Sequence, residues 1–196
     1  MKTLLRIILV TALVLWAGVG WADDVIAQQN QHENLSDWTA DIPANATSFI
    51  CGVSGKKITS ASLWTSREGS PTGTVVLKIY NITGTVGTNA KPTGSALATS
   101  DSVNLNTFPV WSTTGPISFT FSGANQITLT NGTGYCISAE VSGDIASAYR
   151  FRSILDLGAG TTDSYKYLGT WEVDDPNRAM YFILYGVDAS PKGGIW

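Results

Sequence analysis

From Ala46 onward apolar and polar residues alternate with a period of two, and clusters of Gly, Pro and Asn cut that alternation into short runs. No other feature of the chain restricts its fold as much. Successive side chains of a strand point to opposite faces of a sheet, so a period of two marks one buried and one wet face. Phe49 and Cys51 alternate with Ser48 and Ile50. Ala61, Leu63 and Thr65 alternate with Ser62 and Trp64, and Val75, Leu77 and Ile79 with Val76, Lys78 and Tyr80. The pattern resumes through Ile117, Phe119 and Phe121, through Tyr135, Ile137, Ala139 and Val141, through Tyr149 and Phe151, and through Met180, Phe182 and Leu184. No apolar stripe at helical spacing runs over three turns after residue 22, so little helix is expected.

The punctuation agrees with strands. Gly69-Ser-Pro-Thr-Gly73 and Asn131-Gly132 read as turns, because Pro presets φ and Gly accepts positive φ. Pro71-Thr-Gly73 recurs as Pro92-Thr-Gly94, which predicts the same turn chemistry used twice. Many short strands between such turns give an all-β fold, an antiparallel β-sandwich of jelly-roll-like form with about eight to ten strands. The sandwich is expected over 46–187, behind a polar arm or leader strand at 23–45 and ahead of a tail at 188–196.

Composition narrows the function classes. The chain has 196 residues, of which 14% are charged and 43% hydrophobic. About a quarter of a globular chain is ordinarily charged, so this surface is poor in charge, yet the apolar content supports a core and excludes intrinsic disorder. No basic patch is available for phosphates, which argues against nucleic acid as a partner. A single His argues against His-based catalysis and His-rich metal sites.

Residues 1–22 read as a secretory signal peptide. Lys2 and Arg6 precede an apolar run, Ile7 to Gly20, that is shorter than the roughly 20 residues of a bilayer span. Gly20-Trp-Ala22 then supplies the small-x-small cleavage pattern. Removing this segment takes away two basic and no acidic residues, so the formal net charge moves from −3 to −5. The expected location is extracellular, periplasmic or at the cell surface, with no membrane partner after cleavage. Cys51 and Cys136 are an even pair in a chain bound for an oxidising compartment. A disulfide between them is expected, and the chain-entropy model gives a loop of that length about 4.5 kcal/mol. The other reading is two buried thiols that pack as small hydrophobes.

Several stretches together carry a resemblance. They are Gly69-Ser-Pro-Thr-Gly73, Lys78-Ile-Tyr80, Lys91-Pro-Thr-Gly-Ser-Ala-Leu-Ala-Thr-Ser-Asp101, Ile117-Ser-Phe-Thr-Phe-Ser122, Leu129-Thr-Asn-Gly-Thr133, Gly169-Thr-Trp171 and Tyr185-Gly186. With these the chain resembles jelly-roll-like extracellular β-sandwich modules of bacterial surface-anchored proteins and phage tail or fibre proteins. The resemblance implies the same fold, and glycan binding or surface assembly as the function. It brings no catalytic residues.

Candidate chemistry is sparse. Glu140, Asp144, Asp156, Asp163 and Glu172 stand on or near strands but form no motif, and Glu140, alternating with apolar residues, is expected to face water. His32 lies in the polar leader and no Gly-x-Ser-x-Gly elbow exists. Glu172, Asp174, Asp175 and Asn177 are the densest set of oxygen donors and read either as a β-turn or as a Ca²⁺ site, the one cofactor in view. Aromatics are the stronger signal. Trp64, Tyr80, Tyr181 and Tyr185 fall on the non-core parity of their strands, and Trp111 and Trp171 fall in loop-like contexts, where binding residues concentrate. Trp64, Trp111, Trp171, Tyr181 and Tyr185 are the candidate ligand contacts. Two function classes follow. One is a secreted, non-enzymatic module that contacts a glycan or cell surface through these rings. The other is a self-assembling subunit of a fibre, surface layer or virion, whose arm or tail pairs with another copy by strand addition.

Overall fold

A computed structural model describes residues 23–29, 34–38, 43–113, 115–143, 150–155, 164–175 and 179–189; for 29, 34–38, 150–155, 164, 174 and 175 it describes the backbone alone. Residues 1–22, read above as a signal peptide, His32, Asp144, Tyr149, Asp156, Asp163, Asn177 and the tail from residue 190 lie outside the described residues.

The described chain is an antiparallel β-sandwich of two packed sheets. Its strands are β1 (Asp24–Gln29), β2 (Asn34–Trp38), β3 (Ala44–Ile50), β4 (Lys56–Glu68), β5 (Thr74–Thr83), β6 (Lys91–Thr99) and β7 (Val103–Asn104). They continue as β8 (Gly115–Thr120), β9 (Gly134–Ser142), β10 (Arg150–Leu155), β11 (Ser164–Tyr167), β12 (Trp171–Asp175) and β13 (Phe182–Asp188). The only helical pieces among the described residues are two 3₁₀ turns, Leu105–Thr107 and Gly123–Asn125. Strands beyond the expected number are short or polar edge strands such as β6 and β7, which carry no apolar alternation for a sequence reading to detect.

The first sheet is built on β4. On one edge β13 pairs Lys56–Leu63 and β10 pairs Thr65–Glu68, while β8 pairs Ser60–Thr65 on the other edge. The N-terminal arm completes this sheet, with β1 on β13 and β2 on β10. The second sheet runs β12-β11-β3-β9-β5-β6, and β7 continues the β6 edge of β5.

The core lies between the sheets and follows the alternation. Ala61 and Leu63 of β4, Phe119 of β8, and Phe182 and Leu184 of β13 face Val75, Leu77 and Ile79 of β5 and Ile137 and Ala139 of β9, and all are buried. Each large side chain removed from water here contributes about 1.5–3 kcal/mol. Phe49 and Phe182 bridge the two layers edge to face, with ring centroids 5.6 Å apart.

Three expectations are corrected. Cys51 and Cys136 are both buried and are not bridged. The register explains why. Cys136 pairs with Ser48, whereas Tyr135 pairs with Phe49, and Phe49 shares its parity with Cys51. Cys51 therefore joins the inter-sheet core, and Cys136 lies on the opposite face of the same sheet, with Sγ 4.0 Å from the Ala90 carbonyl. A disulfide needs Cβ atoms about 3.5–4.5 Å apart, which two faces of one sheet do not provide. Second, Pro92-Thr-Gly94 is not a turn. It lies in β6, where an edge strand tolerates the missing amide hydrogen of Pro92. Third, β9 is buried on both faces, because Cys136 and Ser138 on its outer parity are fully covered.

Candidate functional site

The outer face of the second sheet carries a cavity. Tyr80 is the only aromatic of β5 to turn away from the core, and it is 9% exposed. Opposite it the β5–β6 register slips: Ile79 pairs with Ala98 and Asn81 with Thr93, so Gly94 to Leu97 form a broad bulge beside Tyr80. Gly94 has φ 71°, in the left-handed region that favours glycine, and a Cβ there would meet nothing within 4 Å. Bulges of this kind re-aim strands next to sites. Across the sheet, β11 and β12 bring Tyr167 and Trp171 into register as a cross-strand pair. Their ring centroids stand 5.3 Å apart at 60°, and Trp171 also meets Tyr80 edge to face at 6.2 Å and 68°. Tyr80, Tyr167, Trp171, Glu140, Ala44 and Gly94 line a cavity of about 270 Å³. Ala44 pairs with Glu140, so a small residue on β3 leaves room in front of the carboxylate.

Glu140 is the polar centre of this cavity. The Tyr80 hydroxyl donates to Glu140 Oε1 at 2.6 Å, and Lys78 Nζ donates to Oε2 at 2.6 Å. The lysine and glutamate side chains are only 27% and 21% exposed, so their pair is part-desolvated. The expectation that Glu140 faces bulk water is therefore corrected: here an outward parity leads into a lined cavity. Burial, then the hydrogen bond to Glu140 and its charge, hold the Tyr80 phenol above its ordinary range. Beside the cavity Tyr167, Leu168 and Val173 of the β11–β12 hairpin are exposed.

The sequence-predicted residues are distributed over both faces. Trp171 is in the cavity. Trp64 and Tyr181 are on the outer face of the other sheet, where their rings meet tilted at 56° with centroids 4.2 Å apart and the two residues are joined by a backbone hydrogen bond. Tyr185 is on that same face, paired with Ser60 and Val25. Trp111 follows the bridge between Val110 and Arg67, and its amide donates to the Arg67 carbonyl at 2.8 Å. These four do not converge with Trp171. Of the oxygen-rich cluster, Glu172 is exposed on β12, the backbones of Asp174 and Asp175 belong to β12, and the remainder lies outside the described residues. No group of three or more His, Cys, Asp or Glu able to hold a metal occurs among the described residues.

Sequence reasoning missed Tyr167, Lys78 and Glu140 as one unit with Tyr80. The available signal was the outward parity of Lys78 and Tyr80 on one strand and of Glu140 on another. No protein-family model matches the chain, and no curated protein matches it.

Proposed function

We propose that this chain is a secreted, non-enzymatic binding module that holds a glycan in the cavity between Tyr80, Tyr167 and Trp171. The observation that carries the reading is the convergence of three aromatic rings on a hydrogen-bonding carboxylate. Aromatic faces suit the C–H face of a sugar ring, and a few placed polar groups then fix its orientation. A glycosidase would set a second carboxyl group about 5–9.5 Å from the first, and Glu140 is the one carboxylate among the described lining residues. The resemblance to extracellular sandwich modules points the same way.

The test is titration of the purified protein with a panel of neutral and acidic oligosaccharides, followed by Trp fluorescence and calorimetry. Saturable binding that weakens about tenfold or more in Trp171→Ala, with an unchanged circular dichroism spectrum, supports the reading. A Trp171→Ala protein that binds as well as the parent overturns it, as does a parent that binds none of the panel.

The second reading, a self-assembling subunit, draws on one observation: β1 is held at a sheet edge by β13, a position that the arm of another copy can occupy by strand addition. Sedimentation of the intact chain across a concentration series distinguishes a monomer from a growing polymer.

A further inference from the structure

Resting on the glycan reading above, we propose that the cavity takes a single terminal, uncharged pyranose ring and reads two of its adjacent hydroxyls through the Glu140 carboxylate. Size sets the first half of this. About 270 Å³ falls just under the roughly 300 Å³ at which pockets for drug-sized ligands begin, which is room for one ring and not for a chain segment. Ring geometry agrees. Trp171 stands at 68° to Tyr80 and 60° to Tyr167, so the three rings make a corner that encloses an end. A coplanar strip would instead suit a run of sugars.

The polar half follows from what Glu140 has left to offer. An ionised carboxylate presents about four acceptor sites. Tyr80 occupies one on Oε1 and Lys78 one on Oε2. The Ser138 hydroxyl donates to Oε1 at 3.5 Å, a long hydrogen bond that a closer ligand hydroxyl would displace. The second acceptor position on Oε2, and that on Oε1 once Ser138 gives way, can then take hydroxyl donors that enter the cavity, and neighbouring sugar hydroxyls are such donors. Tyr80 and Lys78 act as positioning residues, since each pins one oxygen of the carboxylate before the ligand arrives. A sugar acid would instead set a second negative charge against Glu140 in a part-desolvated site, where like charges are costly. A quaternary ammonium would fit the aromatic corner, but it carries no hydroxyl donors on that cation for the acceptor positions of Glu140.

The experiment compares methyl glucoside, galactoside and mannoside with the matching hexuronates and with choline chloride, using the parent chain and Glu140→Gln. The expected result is that at least one methyl hexoside binds about tenfold or more tightly than its hexuronate. In Glu140→Gln that preference should fall to within about threefold, while the hexoside itself weakens about tenfold. Trp171→Ala should weaken the hexoside and hexuronate together. If oligosaccharides bind in a Trp171-dependent way but the preference is absent from the parent, or is unchanged in Glu140→Gln, this inference is overturned and the glycan reading stands. Binding of longer oligosaccharides with no binding of any methyl hexoside overturns the single-ring assignment alone. Saturable binding of choline with none of any saccharide overturns both. Circular dichroism of Glu140→Gln is a control, and the parent chain's own preference tests the proposal even if that variant fails to fold.

Discussion

The Tyr80 hydroxyl donates to Glu140 Oε1 at 2.6 Å, although Tyr80 stands opposite Cys136 on β9 and not opposite Glu140. The phenol therefore reaches diagonally along the sheet, over Lys78 and Ser138, to a carboxylate four residues away. That reach ties the orientation of an aromatic wall to the orientation of the acceptor it encloses.

Tyr80→Phe keeps the ring and removes the hydrogen bond. Hydrogen bonds to charged groups contribute about 1.5–3 kcal/mol, and this one joins a buried ring to a half-buried carboxylate. A loss of about 1–2 kcal/mol is expected in urea denaturation at pH 7. The variant should also change the alkaline limb. The folded state raises the Tyr80 phenol above its ordinary value near 10. A raised value means that this stability is complete below about pH 10 and is lost as pH rises, because the unfolded chain gives up its proton first. The parent should lose stability more steeply above pH 10 than Tyr80→Phe. Equal slopes would show that the phenol is not protected in the folded state.

Lys78 and Glu140 should couple energetically. A double-mutant cycle with Lys78→Met and Glu140→Gln, read by denaturant midpoint, is expected to give an interaction of about 0.5–1 kcal/mol, in the upper part of the range for part-exposed pairs. Coupling near zero would mean that the ion pair does not order the carboxylate.

Titration of the unreduced chain in guanidinium with a thiol reagent should find two reactive thiols, and a reductant should leave its thermal midpoint unchanged. Both follow from the placement of Cys51 and Cys136 on opposite faces of one sheet. Finding no thiol before reduction would contradict that register.

Two glycines should respond oppositely to alanine. A Cβ at Gly186 would overlap the Ile26 side chain and the Lys57 backbone, beside a register shift between Tyr185 and Gly186. Gly186→Ala should cost about 1–3 kcal/mol, because neither strand can withdraw without disturbing β1 or β4. At Gly52 the nearest atom is the Ile26 carbonyl oxygen, at 3.7 Å. Gly52→Ala is expected to be neutral or to stabilise by up to about 1 kcal/mol through the unfolded state. Paired melting curves check both.

Lys56 fastens the N-terminal arm, since its ammonium meets Asp24 of β1 and Asp188 at the end of β13. Hydrogen bonds to Asp188 and then Asp24 raise its pKa, so the clip is intact below the ordinary lysine value and is lost as pH rises beyond it. In Lys56→Met the amides of β1 should exchange with solvent faster than those of β5 or β9. Unchanged β1 protection would mean that the ladder to β13 alone holds the arm.

Much of the sandwich was legible because strand periodicity is a local property. The parities of Ala61, Leu63, Leu77, Ile79, Phe119 and Phe182 could be read from their neighbours, and all six are core residues. The same parity put Cys136 on the side opposite Tyr135, a warning against a bridge to Cys51 that compartment arguments outweighed. Pro92-Thr-Gly94 misled because its composition suits a turn and equally suits a bulged edge strand; whether the chain reverses there depends on the strand beside it.

The candidate site was legible only in pieces. Tyr80, Tyr181, Tyr185 and Trp64 share the same outward signature in sequence, yet Tyr80 lies on one face of the sandwich and the other three on the opposite face. By itself the amino-acid pattern determined the β class, the inward and outward parity of the alternating strands and most of the core, since these depend on residues one and two positions away. Only the tertiary structure decided that β5, β9, β3, β11 and β12 lie side by side. That order brings Tyr80, Glu140, Tyr167 and Trp171 around one cavity, and strand order rests on long-range pairing and close packing between segments as far apart as Asn45 and Lys166, which no local pattern records.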